Sequence, residues 1–239
     1  VTPSVAETKF QFPVIVDSLP DATAYYSINK PSPQYSIINA VGKIGDTLIN
    51  GRIKAQWDYD ERTKDTLKDF SGLQMFVDTL HEVSADRYPH IPLPFFESLY
   101  PIGSPERKID SLENELHYPR KESSVYFKAF PVFIVNVTSG NVLVNNYDQS
   151  LFITQEALDS SGTWRSITLE GDYSCGNGFG RIILQPNFVL MTKVLIYKGN
   201  YSTLMRVKME NGYSVIYSKP FCGSINYTQF VVKNSKRPH

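Results

Sequence analysis

Two cysteines, two tryptophans and four histidines among 239 residues leave this chain little of the usual material for reactive sites. Two cysteines cannot form a four-cysteine zinc site, and no Cys-x-x-Cys pair exists. A cysteine nucleophile needs a nearby histidine base, yet His81, His90, His117 and His239 lie outside the strand-rich stretch that carries both cysteines. A serine nucleophile elbow, Gly-x-Ser-x-Gly, is missing. The glycines between 171 and 180 are followed by neither Gly-Lys-Ser/Thr nor a helical pattern, so no phosphate cradle is expected there. His81-Glu82 begins a His-Glu-x-x-His zinc motif that fails at Ala85.

Excess charge is also absent. Lys plus Arg and Asp plus Glu number 24 each, so no global field draws the chain to nucleic acid or an anionic membrane. Lys233, Lys236 and Arg237 read as a short solvated tail. No apolar run approaches the ~18 residues that a membrane-crossing helix requires; the longest, at 130–135, has the length of a strand.

Aromatics are plentiful, with 15 tyrosines and 14 phenylalanines, as suits cross-strand packing. From residue 130 to 232, short β-branched and aromatic runs alternate with turn signals: Ser139-Gly140, Ser161-Gly162, Pro186-Asn187, Gly199-Asn200 and Asn211-Gly212. Strands are expected at 130–137, 141–146, 150–157, 163–169, 179–185, 188–198, 202–210, 213–218 and 225–232. Asn211-Gly212 marks a tight hairpin, with both residues expected at positive φ. Many short strands at this spacing indicate an all-β protein with an antiparallel, Ig-like or jelly-roll-like β-sandwich in the C-terminal half.

The N-terminal half also reads as β-rich, with strands at 12–17 and 35–41. Ile53, Ala55, Trp57 and Tyr59 alternate with polar residues as in a half-buried strand. Residues 66–83 fit either period, and Gly72 argues against a helix, favouring a strand over 73–79. Prolines at 89, 92 and 94 hold the next segment extended. Ser104-Pro105-Glu106 is a helix-start signal, and Ile109, Leu112 and Leu116 continue it into one short helix over 105–117. The expected organisation is a β-rich region over 1–100, a helical linker over 101–122 and a sandwich over 123–239.

Two tryptophans and two cysteines stand out as candidate site positions, with several acids beside them. Trp57 and Trp164 are the flat rings best suited to stacking on a sugar. Glu156, Asp159, Glu170 and Asp172 flank Trp164 and supply the acids that glycoside hydrolysis would need in pairs. Each has a plainer role in a strand or turn, as do Asp58, Asp60, Glu61 and Asp65, which lack the glycine and later glutamate of a calcium loop. Cys175 and Cys222 form a candidate disulfide that would close a loop of about 46 residues and contribute on the order of 4 kcal/mol. The sequons at Asn136, Asn200 and Asn226 read as turn and strand-end chemistry.

With no catalytic motif, no metal set and no cofactor signature, the sequence points to binding rather than catalysis. The expectation is a non-enzymatic interaction or scaffold protein, extracytoplasmic (periplasmic, cell-surface or secreted), belonging to a cell-envelope assembly with protein partners. The alternative is a carbohydrate-binding or carbohydrate-active module with a glycan ligand. Val1 in place of Met suggests that an upstream segment has been removed, by processing or by the choice of where the chain begins.

Overall fold

The computed structural model describes residues 10–30, 32–33, 36–50, 70–86, 126–169 and 178–230. Seven strands come first: β1 (Val14–Asp17), β2 (Ser32–Pro33), β3 (Ser36–Ile37), β4 (Ala40–Lys43), β5 (Thr47–Asn50), β6 (Leu73–Val77) and β7 (Val83–Asp86). Eleven follow: β8 (Tyr126–Asn136), β9 (Val142–Tyr147), β10 (Ser150–Leu151), β11 (Ile153–Leu158), β12 (Trp164–Ser166), β13 (Thr168–Leu169), β14 (Phe179–Leu184), β15 (Phe188–Leu195), β16 (Tyr201–Asn211), β17 (Ser214–Tyr217) and β18 (Phe221–Ile225). The protein is all-β and dominated by antiparallel sheets, as the turn spacing leads one to expect. The ambiguous 66–83 segment contributes β6, a strand, because its backbone pairs with β8 from Leu73↔Asn136 to Val77↔Val132. The expected strand at 53–59, the proline segment and the 105–117 helix lie outside the described residues.

A five-stranded sheet, β4-β15-β8-β6 with β7 also on β8, occupies the middle. On one face Met75, Ile134, Leu190 and Val194 meet Val144, Leu151 and Leu184 of the β14-β9-β10-β3 sheet. The same core takes in Ile153, Val207 and Met209 of the β12-β11-β16-β17 sheet, where β18 also pairs with β16. The other face of the central sheet presents Phe133, Val135, Val189 and Met191 to Leu48 of β5 and to Phe10, Phe12 and Ile15. β8 is thus covered on both sides, which explains why 130–135 is a continuous apolar run and not an alternating one.

Strand pairing crosses the boundary drawn at 101–122. β4 and β6 lie in one sheet with β8 and β15, β3 pairs with β10, and β2 runs parallel to β13. A parallel pair, β1 on β5, forms the outer layer. It is tied down through Asn50, whose amide donates to Asp17 Oδ1 (2.8 Å) and to the Ser84 carbonyl (3.1 Å). Lys193 Nζ on β15 donates to Asn50 Oδ1 (3.0 Å) and to the same carbonyl (2.9 Å).

Three hairpins set the register around the core. Asp148 and Gln149 join β9 to β10 at φ 46° and 66°, the two-residue arrangement whose twist matches that of the strands. Pro186-Asn187 joins β14 to β15, with Asn187 at φ 61° and the Phe188 amide bonded to the Gln185 carbonyl (3.1 Å). That is the Pro-then-positive-φ order of a type II turn. The β16–β17 hairpin sits one residue later than expected. Asn211 pairs with Ser214, so Gly212 (φ 61°) and Tyr213 form the loop.

The strand expected at 225–232 is also corrected. β18 ends at Ile225, and Tyr227–Gln229 forms a 3-10 turn. The Asn226 amide donates to the Ile28 carbonyl (2.9 Å), and Phe230 turns into the core beside Tyr26, Ile167 and Ile225. Phe230 thus plugs the core instead of extending the sheet.

Candidate functional site

The solvent face of the β12-β11-β16-β17 sheet carries a hydrogen-bonded and stacked group of interface-type side chains. Along β16, Met205, Val207 and Met209 point into the core, so Leu204, Arg206 and Lys208 point outward. The register places Glu156 beside Arg206 and Tyr217 beside Lys208. Arg206 Nε and Nη2 both reach Glu156 Oε2 at 2.7 Å. The guanidinium lies 4.4 Å from the Trp164 ring centre and 4.0 Å from that of Tyr217. An arginine held between two aromatic rings and fixed by a carboxylate has little rotamer freedom left to lose on binding. Leu204, Val215 and Tyr217 on this face are 41%, 49% and 45% exposed.

Trp164 is therefore the expected candidate residue that belongs to a cluster, and Arg206 covers one of its ring faces. Trp57 lies outside the described residues. The acids beside Trp164 have structural partners. Glu156 holds Arg206. Asp159 Oδ1 closes the β11–β12 turn, accepting from Ser161 Oγ (2.6 Å), Ser161 N (2.9 Å) and Thr163 N (3.0 Å). The Ser161 hydroxyl foremost, then the Thr163 amide, hold this carboxyl below its ordinary pKa. Glu170 and Asp172 lie outside the described residues.

Cys222, which falls between the strands expected at 213–218 and 225–232, sits in β18, opposite Leu204, as an exposed free thiol. Cys175 lies outside the described residues. His81 Nδ1 is 2.8 Å from Asp78 Oδ2, and Glu82 is taken by Lys128 Nζ (2.6 Å) and Tyr25 Oη (3.1 Å). Among the described residues no three His, Cys, Asp or Glu side chains gather as a metal site, and no helix is long and apolar enough to cross a membrane. Asn136 of the first sequon is fully buried, its amide donating to the Leu184 carbonyl (2.8 Å) and the Gly140 carbonyl (2.7 Å).

A second feature has no local signal in the sequence. A cleft of about 470 Å³ opens beside the end of β15 and the β18 edge, lined by Tyr25, Phe130, Lys198, Met205, Phe221 and Cys222 among others. Its residues come from distant parts of the chain, so no local pattern marks it. Sequence distance hides it; strand pairing assembles it.

No family model matches the chain, and neither a curated protein nor a solved structure matches it.

Proposed function

We propose that this protein is a non-enzymatic interaction or scaffold protein that works outside the cytoplasm, with the outer face of the β12-β11-β16-β17 sheet as its contact surface. One observation carries the reading: the pre-ordered Trp164–Arg206–Tyr217 stack flanked by exposed Leu204 and Val215. Trp, Tyr and Arg are the residues enriched at the energetic centres of protein interfaces, and a pre-set arginine lowers the cost of docking. The extracytoplasmic part rests on the neutral charge and the Tyr- and Asn-rich strands. A glycan reading has less support, because a sugar would need a Trp164 ring face and Arg206 takes one of them.

Photo-crosslinking residues placed at positions 204, 215 and 217 in the native cell test the contact surface. The expected result is one discrete adduct shared by these positions and missing at Leu80, which is 83% exposed on another part of the molecule. No adduct, or the same adduct from position 80, contradicts the proposal. A membrane-impermeant maleimide, added to intact cells after mild impermeant reduction, tests location through exposed Cys222. Labelling supports the extracytoplasmic reading, and labelling only after lysis contradicts it.

A further inference from the structure

We propose that the cleft beside β15 and β18 binds a small amphipathic carboxylate such as a medium-chain fatty acid, with its acid group at Lys198 and its chain among Phe130, Met205 and Phe221. The inference is independent of the contact surface described above.

Three observations combine. The cleft, at about 470 Å³, falls in the size range of small-molecule sites, which are concave, largely apolar and carry a few oriented polar groups. Phe130, Leu195, Met205 and Phe221 supply apolar surface, with Phe130 and Phe221 edge-on at 5.9 Å between ring centres. Such surface favours a hydrocarbon chain over a sugar or a free phosphate.

The charge at the mouth then selects the head group. Two lysines flank the Tyr25 ring, Lys128 at 4.8 Å and Lys198 at 5.5 Å from its centre. Glu82 neutralises Lys128 through a 2.6 Å ion pair. Lys198 is exposed, lines the cleft and has no carboxylate partner among the described residues. Among the described residues the mouth therefore holds one uncompensated positive charge, which repels a cationic amphiphile and attracts an anionic one. Ser202 and Ser224, cross-strand partners on β16 and β18, also border the cleft.

The test is isothermal titration of the full chain with hexanoate, octanoate and decanoate below their micelle concentrations, beside decanol. Saturable one-to-one binding is expected, tightening about three- to four-fold per added methylene until the cleft is filled. Lys198→Met, a surface change that keeps the aliphatic stem, should weaken decanoate about ten-fold and leave decanol unchanged. Bound decanoate should also slow alkylation of Cys222, followed on its own peptide by mass spectrometry. The proposal is overturned by decanoate that fails to saturate, by affinity independent of chain length, or by a Lys198→Met variant that binds decanoate as tightly as the wild type.

Discussion

Asn211 shows how a single amide can decide where a hairpin turns. Its side chain is fully buried, donating to the Leu143 carbonyl (2.8 Å) and the Phe70 carbonyl (3.2 Å) and accepting from the Asn145 amide (2.8 Å). An asparagine committed to three backbone groups stays in the strand, and the turn moves to Gly212-Tyr213. Asn211→Ala strands those groups away from water and should cost about 3 kcal/mol, read as a fall in the urea midpoint. Asn211→Asp should also destabilise, because it removes both donors. Asp159 gives a pH-dependent counterpart. Its carboxyl is held below the ordinary value, so its contribution is complete above the unfolded value of about 3.9 and is lost as pH falls through the lower folded value. Urea unfolding of Asp159→Asn should show a deficit against the wild type at neutral pH that shrinks in strong acid. A deficit that grows on acidification would refute this role. Neither effect is legible in the sequence: Asn-Gly reads as a turn centre and Asp159 as a candidate catalytic acid until their hydrogen-bond partners are seen.

Most elements could be read from local chemistry. The alternation along β16, the Pro186-Asn187 turn and the long apolar β8 all had sequence signals that the backbone follows. What failed was the last strand, where Phe230 is apolar because it plugs the core beside Tyr26; a run of the right composition does not say which surface it covers. The Asp148-Gln149 hairpin also lacks the usual Asn-Gly signal, although both residues sit at positive φ. Replacing Gln149 with glycine removes the Cβ penalty of that conformation and should raise stability by about 1 kcal/mol in denaturant unfolding. The opposite holds at Gly199, where a Cβ would collide with the backbone of Ile225 and Asn226. This glycine marks a close approach between chain segments, whereas its sequence context reads only as a turn.

At the scale of the whole molecule, described strands from both halves of the chain share the same sheets. β4 and β6 complete the sheet centred on β8 and β15, and Leu48, Phe10 and Phe12 cover a face that those strands would otherwise expose. The cleft depends on the same interleaving, since Tyr25 joins Phe130, Lys198 and Phe221 at its wall. The Trp164–Arg206–Tyr217 stack is more local, spanning 156–217, and half of it was legible because Trp164 stood out as a rare ring among polar neighbours. Arg206 did not stand out, because only strand register brings it between the two aromatics. The division at 101–122 followed composition, which records prolines and charges but not which strands pair across them.

Expression of residues 123–239 alone, compared with the whole chain by two-dimensional amide NMR and urea unfolding, tests that interleaving most directly. Stripped of β4, β6 and the covering Leu48 layer, the fragment should lose the dispersed β-sheet spectrum and the cooperative transition of the full chain. A fragment that unfolds cooperatively, with amide shifts in β8 and β15 matching those of the intact protein, would contradict it.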